Sequence, residues 1–226
     1  MGQRILWINP LGTDVFDAVI GDTLRSHAGP ATCVDVVSFP RGPWHLEYHY
    51  YGALILPSVL HAIKKAEKQG YDGAIIGCFY DPGLREAREI TTRMAVTAPE
   101  ESALHIASTL GDRFSVIVTR EKCIPAMRDN AAKYGFADRV ASFKSLNLGV
   151  HDLHRDEKVT MSRLIECARE AVERDRAEVI VLGCSITFGF YKELQRMLAV
   201  PVIGACAPQI RAVPGGPQAA VRVGSQ

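Results

Sequence analysis

Two short stretches, GAIIGCFYDPGL (73–84) and VIVLGCSITFGF (179–190), share one layout: an apolar run, a glycine, a cysteine and a turn. Each reads as a buried strand that ends on a thiol, at Cys78 and at Cys184. A free thiol has a pKa of ~8.5, so only a few per cent is thiolate near neutrality. The free N–H groups of a helix N-terminus lower that value. Helical patterns open at Pro82-Gly83-Leu84 and from Phe188 onward, so both thiols are expected to have depressed pKa values. If they face one another, one thiolate takes a proton from carbon while the opposite thiol returns one. That inverts a stereocentre with two acid/base groups. Such chemistry needs no metal and no organic cofactor. The chain carries no G-x-x-x-x-G-K, G-x-G-x-x-G or H-E-x-x-H motif that would suggest either.

The remaining cysteines carry weaker signals. Small buried cysteines are common packing residues. Cys33 alternates with valines in a strand pattern, and Cys167 sits inside a long helical pattern. Cys123 lies at a strand–helix turn but has no counterpart in the other half, and Cys206 follows the last strand pattern. Cys78 and Cys184 stand apart because each follows a glycine at an equivalent strand end.

Strand-like runs alternate with helical patterns along the chain. RILWIN (4–9) precedes a helical stretch opening at Thr13, and ATCVDVVSF (31–39) is the next strand. ALILPSVLHAIKKAEKQG (53–70) reads as a helix stopped by Gly70, and PGLREAREITT (82–92) as a helix with Pro82 in its first turn. MAVT, FSVIVT, RVASFKSLN, EVIVLG and PVIGA read as strands; PEESALHIASTLG, KCIPAMRDNAAKYG, DEKVTMSRLIECAREAVERD and FYKELQRML read as helices. Such alternation predicts α/β architecture with parallel sheets and helices on both faces. The order also repeats. RILWINPLGT begins at Arg4 and RFSVIVTREK at Arg113, and Cys78 and Cys184 recur at nearly the same spacing. Two pseudo-symmetric lobes are expected, the first from 1–96 plus 201–226 and the second from 97–200. Ligands of such sheets bind beyond the carboxyl ends of strands, which places the expected site in the cleft between the lobes.

Composition narrows the partners. Lys and Arg number 26 against 25 Asp and Glu, a formal charge of +1, so no basic face for nucleic acid or membrane is advertised. No apolar run approaches the ~18 residues of a membrane span. MGQRILWINP enters a strand at once, without a signal-peptide layout. Six cysteines without a C-x-x-C fit reduced thiols and a cytoplasmic location. A small-molecule substrate is expected.

INPLGT (8–13), HLEYHYYGALILPSVLHAI (45–63), GCFYDPGLREAREI (77–90), RFSVIVT (113–119), AEVIVLGC (177–184) and VPVIG (200–204) together resemble the aspartate/glutamate/hydantoin racemase superfamily. The likeness is greatest to its hydantoin racemase branch, which includes allantoin racemases. The resemblance implies two α/β lobes around a cleft, a cysteine from each lobe and cofactor-independent racemisation. It carries Cys78 and Cys184 over as the acid/base pair and suggests Asn9, Thr13 and Thr119 near the substrate's polar groups. Phe79, Tyr80, Ser185 and Ile186 surround the expected pocket. Leu11 stands where the family usually has asparagine, Tyr80 where an acid is frequent, and Ser185-Ile186 where this branch usually has Ala-Gly. The tail IRAVPGGPQAAVRVGSQ breaks at Pro214-Gly215-Gly216-Pro217 where the family closes with a helix. Packing of that tail on a partner subunit, within a homo-oligomer, is one expectation.

WHLEYHYY (44–51) reads as a loop over the pocket mouth whose aromatics set substrate size. A metal site from His45 and His49 lacks the metalloprotease spacing. Glu47 can accept a ligand N–H or pair with Arg41, Glu100 and Glu101 read as serving a helix dipole, and HDLH (151–154) as an exposed loop. Three readings of function remain open. One is a racemase of a 5-substituted hydantoin or allantoin-like ureide. Another is a relative that racemises an amino acid, isomerises a dicarboxylate or decarboxylates a malonate, and the last is a binding protein without turnover.

Overall fold

The computed structural model describes residues 2–205. The apolar runs fold into two parallel four-stranded sheets. The first has strands β1 (Gln3–Ile8), β2 (Thr32–Val37), β3 (Gly73–Ile76) and β4 (Ala95–Thr97) in the order β2-β1-β3-β4. The second has β5 (Phe114–Val118), β6 (Val140–Ser145), β7 (Val179–Leu182) and β8 (Val202–Ile203) in the order β6-β5-β7-β8. The orders are identical once each strand is matched to its counterpart, so the repeat read from spacing is a repeat of topology. Seven α-helices occur among the described residues. They are α1 (Asp17–His27), α2 (His49–Lys68), α3 (Leu84–Ile90), α4 (Pro99–Leu110), α5 (Ile124–Lys133), α6 (Glu157–Glu173) and α7 (Phe190–Met197).

Both faces of each sheet are covered, which explains why the central strands are continuously apolar. Ile5 and Trp7 of β1 pack with Ile20 and Leu24 of α1, while Leu6 and Ile8 on the other face pack with Ile55, Val59 and Ile63 of α2. In the second sheet Ile180 and Leu182 join Leu164 and Ala168 of α6, and Val179 and Val181 join Leu104 of α4 and Met127 of α5. Two seams tie the halves. His27 of α1 meets the Tyr191 hydroxyl of α7 at 2.8 Å. On the other side Tyr134, just after α5, donates to Asp81 at 2.9 Å, and Asn130 donates to the Tyr80 carbonyl at 2.9 Å.

Several local expectations change. α1 starts at Asp17 rather than Thr13, and α2 at His49 rather than residue 53, with Pro57 accommodated inside it. α3 starts at Leu84, because Gly83 with φ 75° turns the chain there and leaves Pro82 in the preceding loop. β8 pairs with β7, so residues 202–203 belong to the second sheet, whereas the sequence reading had assigned everything from 201 to the first lobe. Val202 is drawn there by the side chain of Gln195, which accepts its N–H at 2.7 Å. Cys206 and the Pro-Gly tail lie outside the described residues.

Phe79 crosses between the halves. It follows β3 of the first sheet, yet its ring is 2% exposed within the core of Leu104, Phe114 and Val118. Phe79→Ala is expected to cost about 3–5 kcal/mol, the range for truncating a buried aromatic. A loss of unfolding free energy in urea smaller than about 1 kcal/mol would show that the ring is not an anchor between the halves.

Candidate active site

Glycine precedes each cysteine for a steric reason. The Gly77 N–H donates to the Ile8 carbonyl at 2.8 Å and the Gly183 N–H to the Ile117 carbonyl at 2.7 Å, which extends β3 and β7 by one residue each. A Cβ at Gly77 would lie 2.1 Å from Trp7 Nε1, and one at Gly183 would lie 2.8 Å from Val116 Cγ1. Only glycine lets the strand end pass its neighbour that closely. The chain then turns in the same way twice: the Asp81 N–H returns to the Cys78 carbonyl at 3.0 Å and the Thr187 N–H to the Cys184 carbonyl at 3.1 Å. Within these turns the Tyr80 N–H reaches the Cys78 sulfur, and the Ile186 and Thr187 N–H groups reach the Cys184 sulfur.

Cys78 and Cys184 line one cavity of about 60 Å³. Asn9, Glu47, Phe79, Tyr80, Thr119, Ser185 and Ile186 line it too, so eight of the nine remaining residues expected around the site, counting Leu11, meet there. Thr13 is the exception. Its hydroxyl accepts the Val15 N–H at 3.4 Å in the turn that leads into α1, away from the cavity wall. Leu11 is buried against the α2 side of the first sheet and gives the cavity an apolar wall. Asn9 is buried, with its amide donating to Asp17 at 2.8 Å.

The electrostatics reverse one expectation. Both thiols are pushed up, not down: burial raises Cys184 to about 12 and raises Cys78 further. Burial penalises the thiolate first, and the turn N–H groups only partly offset it. The helices do not help at short range, since α3 and α7 begin six residues beyond their cysteines. Glu47 is held by Arg120 of the other half, whose Nε donates at 2.8 Å, and by the Val150 N–H at 3.3 Å; Arg41 takes no part in these contacts. His45 sits 3.5 Å from Glu47 as an ion-pair partner. Among the described residues no group of three or more His, Cys, Asp or Glu is gathered to hold a metal ion.

Four features were not legible. Cys123, set aside as lacking a counterpart, is buried in the same cavity wall. Its sulfur lies 3.5 Å from the Thr119 hydroxyl and also meets the Tyr80 hydroxyl. His154, read as part of an exposed loop, stacks on Phe188 and Phe190 and meets the Ile186 carbonyl at 2.8 Å, which supports the Cys184 turn. Glu100 is fully buried rather than a surface acid serving a helix dipole. Burial, and then nearby Asp81, raise it well above the usual carboxylate value. Burial raises Asp81 as well, to about 7, a shift only partly offset by the Glu100 and Glu101 N–H groups that it accepts, at 2.9 and 2.8 Å, and by the Tyr134 hydroxyl. That contact caps α4 from across the turn that follows Cys78. Beyond Leu46, Glu47 and Tyr80 lies a wider groove of about 850 Å³ between α2, α3 and α5.

Comparison with known proteins agrees with this geometry. Residues 5–213 match the family model described as Asp/Glu/Hydantoin racemase. A hydantoin racemase from Pseudomonas sp. (strain NS671) is 36% identical over 201 residues, covering 89% of this chain and 80% of the relative. One from Paenarthrobacter aurescens is 33% identical, covering 89% and 85%. Among solved structures, an allantoin racemase from Klebsiella pneumoniae superposes with a TM-score of 0.89 at 31% identity, covering 94% of this chain and 86% of that one. A match over nearly the whole chain, on a fold whose two equivalent strand ends each deliver a cysteine to one cavity, means that this protein belongs to the Asp/Glu/hydantoin racemase family.

Proposed function

We propose that this protein is a cofactor-independent racemase of a 5-substituted hydantoin or an allantoin-like cyclic ureide, with Cys78 and Cys184 as its acid/base pair. The observation that carries the reading is the pairing itself: two topologically equivalent Gly-Cys strand ends line one cavity. In a cyclic ureide the stereogenic carbon lies between a carbonyl and a nitrogen, so its proton is acidic. One thiolate removes that proton and the opposite thiol delivers its own to the other face. Negative charge that develops on the ring carbonyl meets the polar side chains of Asn9, Thr119 and Ser185 in the cavity wall. The turn N–H groups at the sulfurs favour the thiolate of each cysteine. Burial of both thiols keeps the proton donor of the pair protonated; the base must be formed against that burial.

The same reading extends to setting. The five cysteines among the described residues are free thiols, in keeping with a cytoplasmic protein. No helix among the described residues is long and apolar enough to cross a membrane. A homo-oligomer remains our expectation for its assembly.

Deuterium wash-in from D2O, followed by NMR alongside decay of optical rotation, tests the reaction on hydantoins, amino acids and malonates. Exchange with racemisation on the hydantoins is expected. It should survive dialysis against EDTA and need no pyridoxal phosphate. Activity lost to EDTA and restored by zinc would overturn cofactor independence. Exchange confined to amino acids, or carbon dioxide release from malonates, would overturn the substrate class.

A further inference from the structure

The cavity is too small for the ring it is proposed to hold. A cavity of about 150 Å³ accommodates benzene in a protein interior, whereas this one measures about 60 Å³. A cyclic ureide with two exocyclic oxygens and a substituent is larger than benzene. Some wall must therefore move, and the wall shared with the outer groove of about 850 Å³ consists of Leu46, Glu47 and Tyr80. Leu46 is packed in the core on the α2 side of the first sheet. Glu47 is pinned by Arg120, by the Val150 N–H and by His45. Tyr80 is held less firmly. It is half-buried, and among the described residues its hydroxyl has no partner firmer than the sulfur of Cys123, a weak acceptor. Its backbone is anchored independently, through the Asn130 contact to its carbonyl and the left-handed turn at Asp81, where φ is 50°.

Resting on the cyclic-ureide reading above, we propose that Tyr80 determines substrate specificity. Its ring closes the inner cavity in the free protein, latched by Cys123, and swings toward the outer groove when substrate enters. The ring of the substrate then reacts between Cys78 and Cys184, and the substituent on its stereogenic carbon lies in the groove. Ala53, Leu56 and Tyr48 give that groove an apolar stretch, while charged side chains such as Arg85, Glu89 and Lys122 line the rest. The groove has room for a substituent of aromatic size, and such a substituent requires a further displacement of Tyr80, beyond that needed by the ring, which a small one does not.

The test uses Tyr80→Ala, Tyr80→Phe and Cys123→Ala with 5-methylhydantoin and 5-benzylhydantoin. Tyr80→Ala removes the gate, so the benzyl-to-methyl ratio of kcat/KM should rise about tenfold or more, the scale on which pocket contacts discriminate substrates. Tyr80→Phe removes only the latch and should shift the ratio in the same direction by about two- to fivefold, the scale of one weak hydrogen bond. Cys123→Ala also frees the Thr119 hydroxyl, so it should lower kcat/KM for both hydantoins while shifting their ratio the same way. A second readout does not depend on the substrate. Alkylation of Cys78 and Cys184 by iodoacetamide and by N-benzylmaleimide is followed by peptide mass spectrometry. The bulky reagent should gain about tenfold over the small one in Tyr80→Ala, matching the kinetic shift. Size ratios within twofold of the parent in both readouts would overturn the gate. If no variant turns over any hydantoin, the racemase reading fails by itself, and the alkylation ratios still decide whether Tyr80 guards the thiols.

Discussion

Cys78→Ser and Cys184→Ser are each expected to cut racemisation by about 10²–10⁴, the usual contribution of a general acid/base group. Serine keeps the shape, but its hydroxyl is hardly ionised at neutral pH, so it is a far weaker base. The loss should be equal in kind for both variants, because Cys78 and Cys184 occupy equivalent strand ends and line the same cavity. Exchange should outlast racemisation. A variant with one remaining thiol can still take a proton from the enantiomer that presents it to that thiol and return a deuteron to the same face. Cys78→Ser and Cys184→Ser should therefore wash deuterium into opposite enantiomers without inverting either. NMR on each pure enantiomer reads this directly. Full turnover in Cys184→Ser with a dead Cys78→Ser would sink the two-base mechanism and leave a one-thiol reaction, such as decarboxylation, in its place.

The proposed acid/base pair was visible in sequence because it is repeated. A strand that ends in Gly-Cys once is unremarkable, but two at matching places in a repeated order point to a shared role. The steric need for Gly77 beside Trp7 and Gly183 beside Val116 shows why the glycines accompany the cysteines. Strand and helix order was legible for a related reason: doubly covered strands are continuous apolar runs, and terminators such as Gly70 and Gly111 interrupt the helices. What escaped depends on distant partners. β8 reads as a strand locally, but nothing local says that it joins β7 rather than the first sheet. α2 begins at His49 after Tyr48, which offers no side-chain cap, so its start had no signal. Cys123 has no counterpart to advertise it, and the Glu47–Arg120 pair joins residues far apart in the chain. The direction of the thiol pKa values was misjudged for the same reason. A nearby helix start is a local feature, whereas desolvation is set by the whole surrounding wall.

That desolvation leads to the second large effect. A thiolate, not a thiol, attacks an alkylating reagent, so alkylation rate reports the thiolate fraction. A solvated cysteine of pKa ~8.5 is a few per cent thiolate at pH 7 and almost wholly thiolate at pH 10, so its rate rises only about thirtyfold before levelling off. Cys184 is raised to about 12, chiefly by burial. The sign follows from the charge: burial disfavours the anion, so more alkali is needed to form it, and between pH 7 and 10 the group stays far below its midpoint. Its fraction of thiolate should then grow tenfold per pH unit, about 10³-fold across the interval, without a plateau. Cys78 is raised further by the same cause, and its charge is opposed in addition by Cys184 and Asp81, so it should follow the same slope. The measurement is the rate of iodoacetamide labelling of each peptide, by mass spectrometry, in the absence of substrate. A plateau near pH 8.5 at either residue would mean that water reaches the sulfur in the free protein. The closed cavity would then not be its resting form. A rise that continues to pH 10 would mean that both thiols rest protonated in the free protein, so that the base must be formed at the expense of its desolvation.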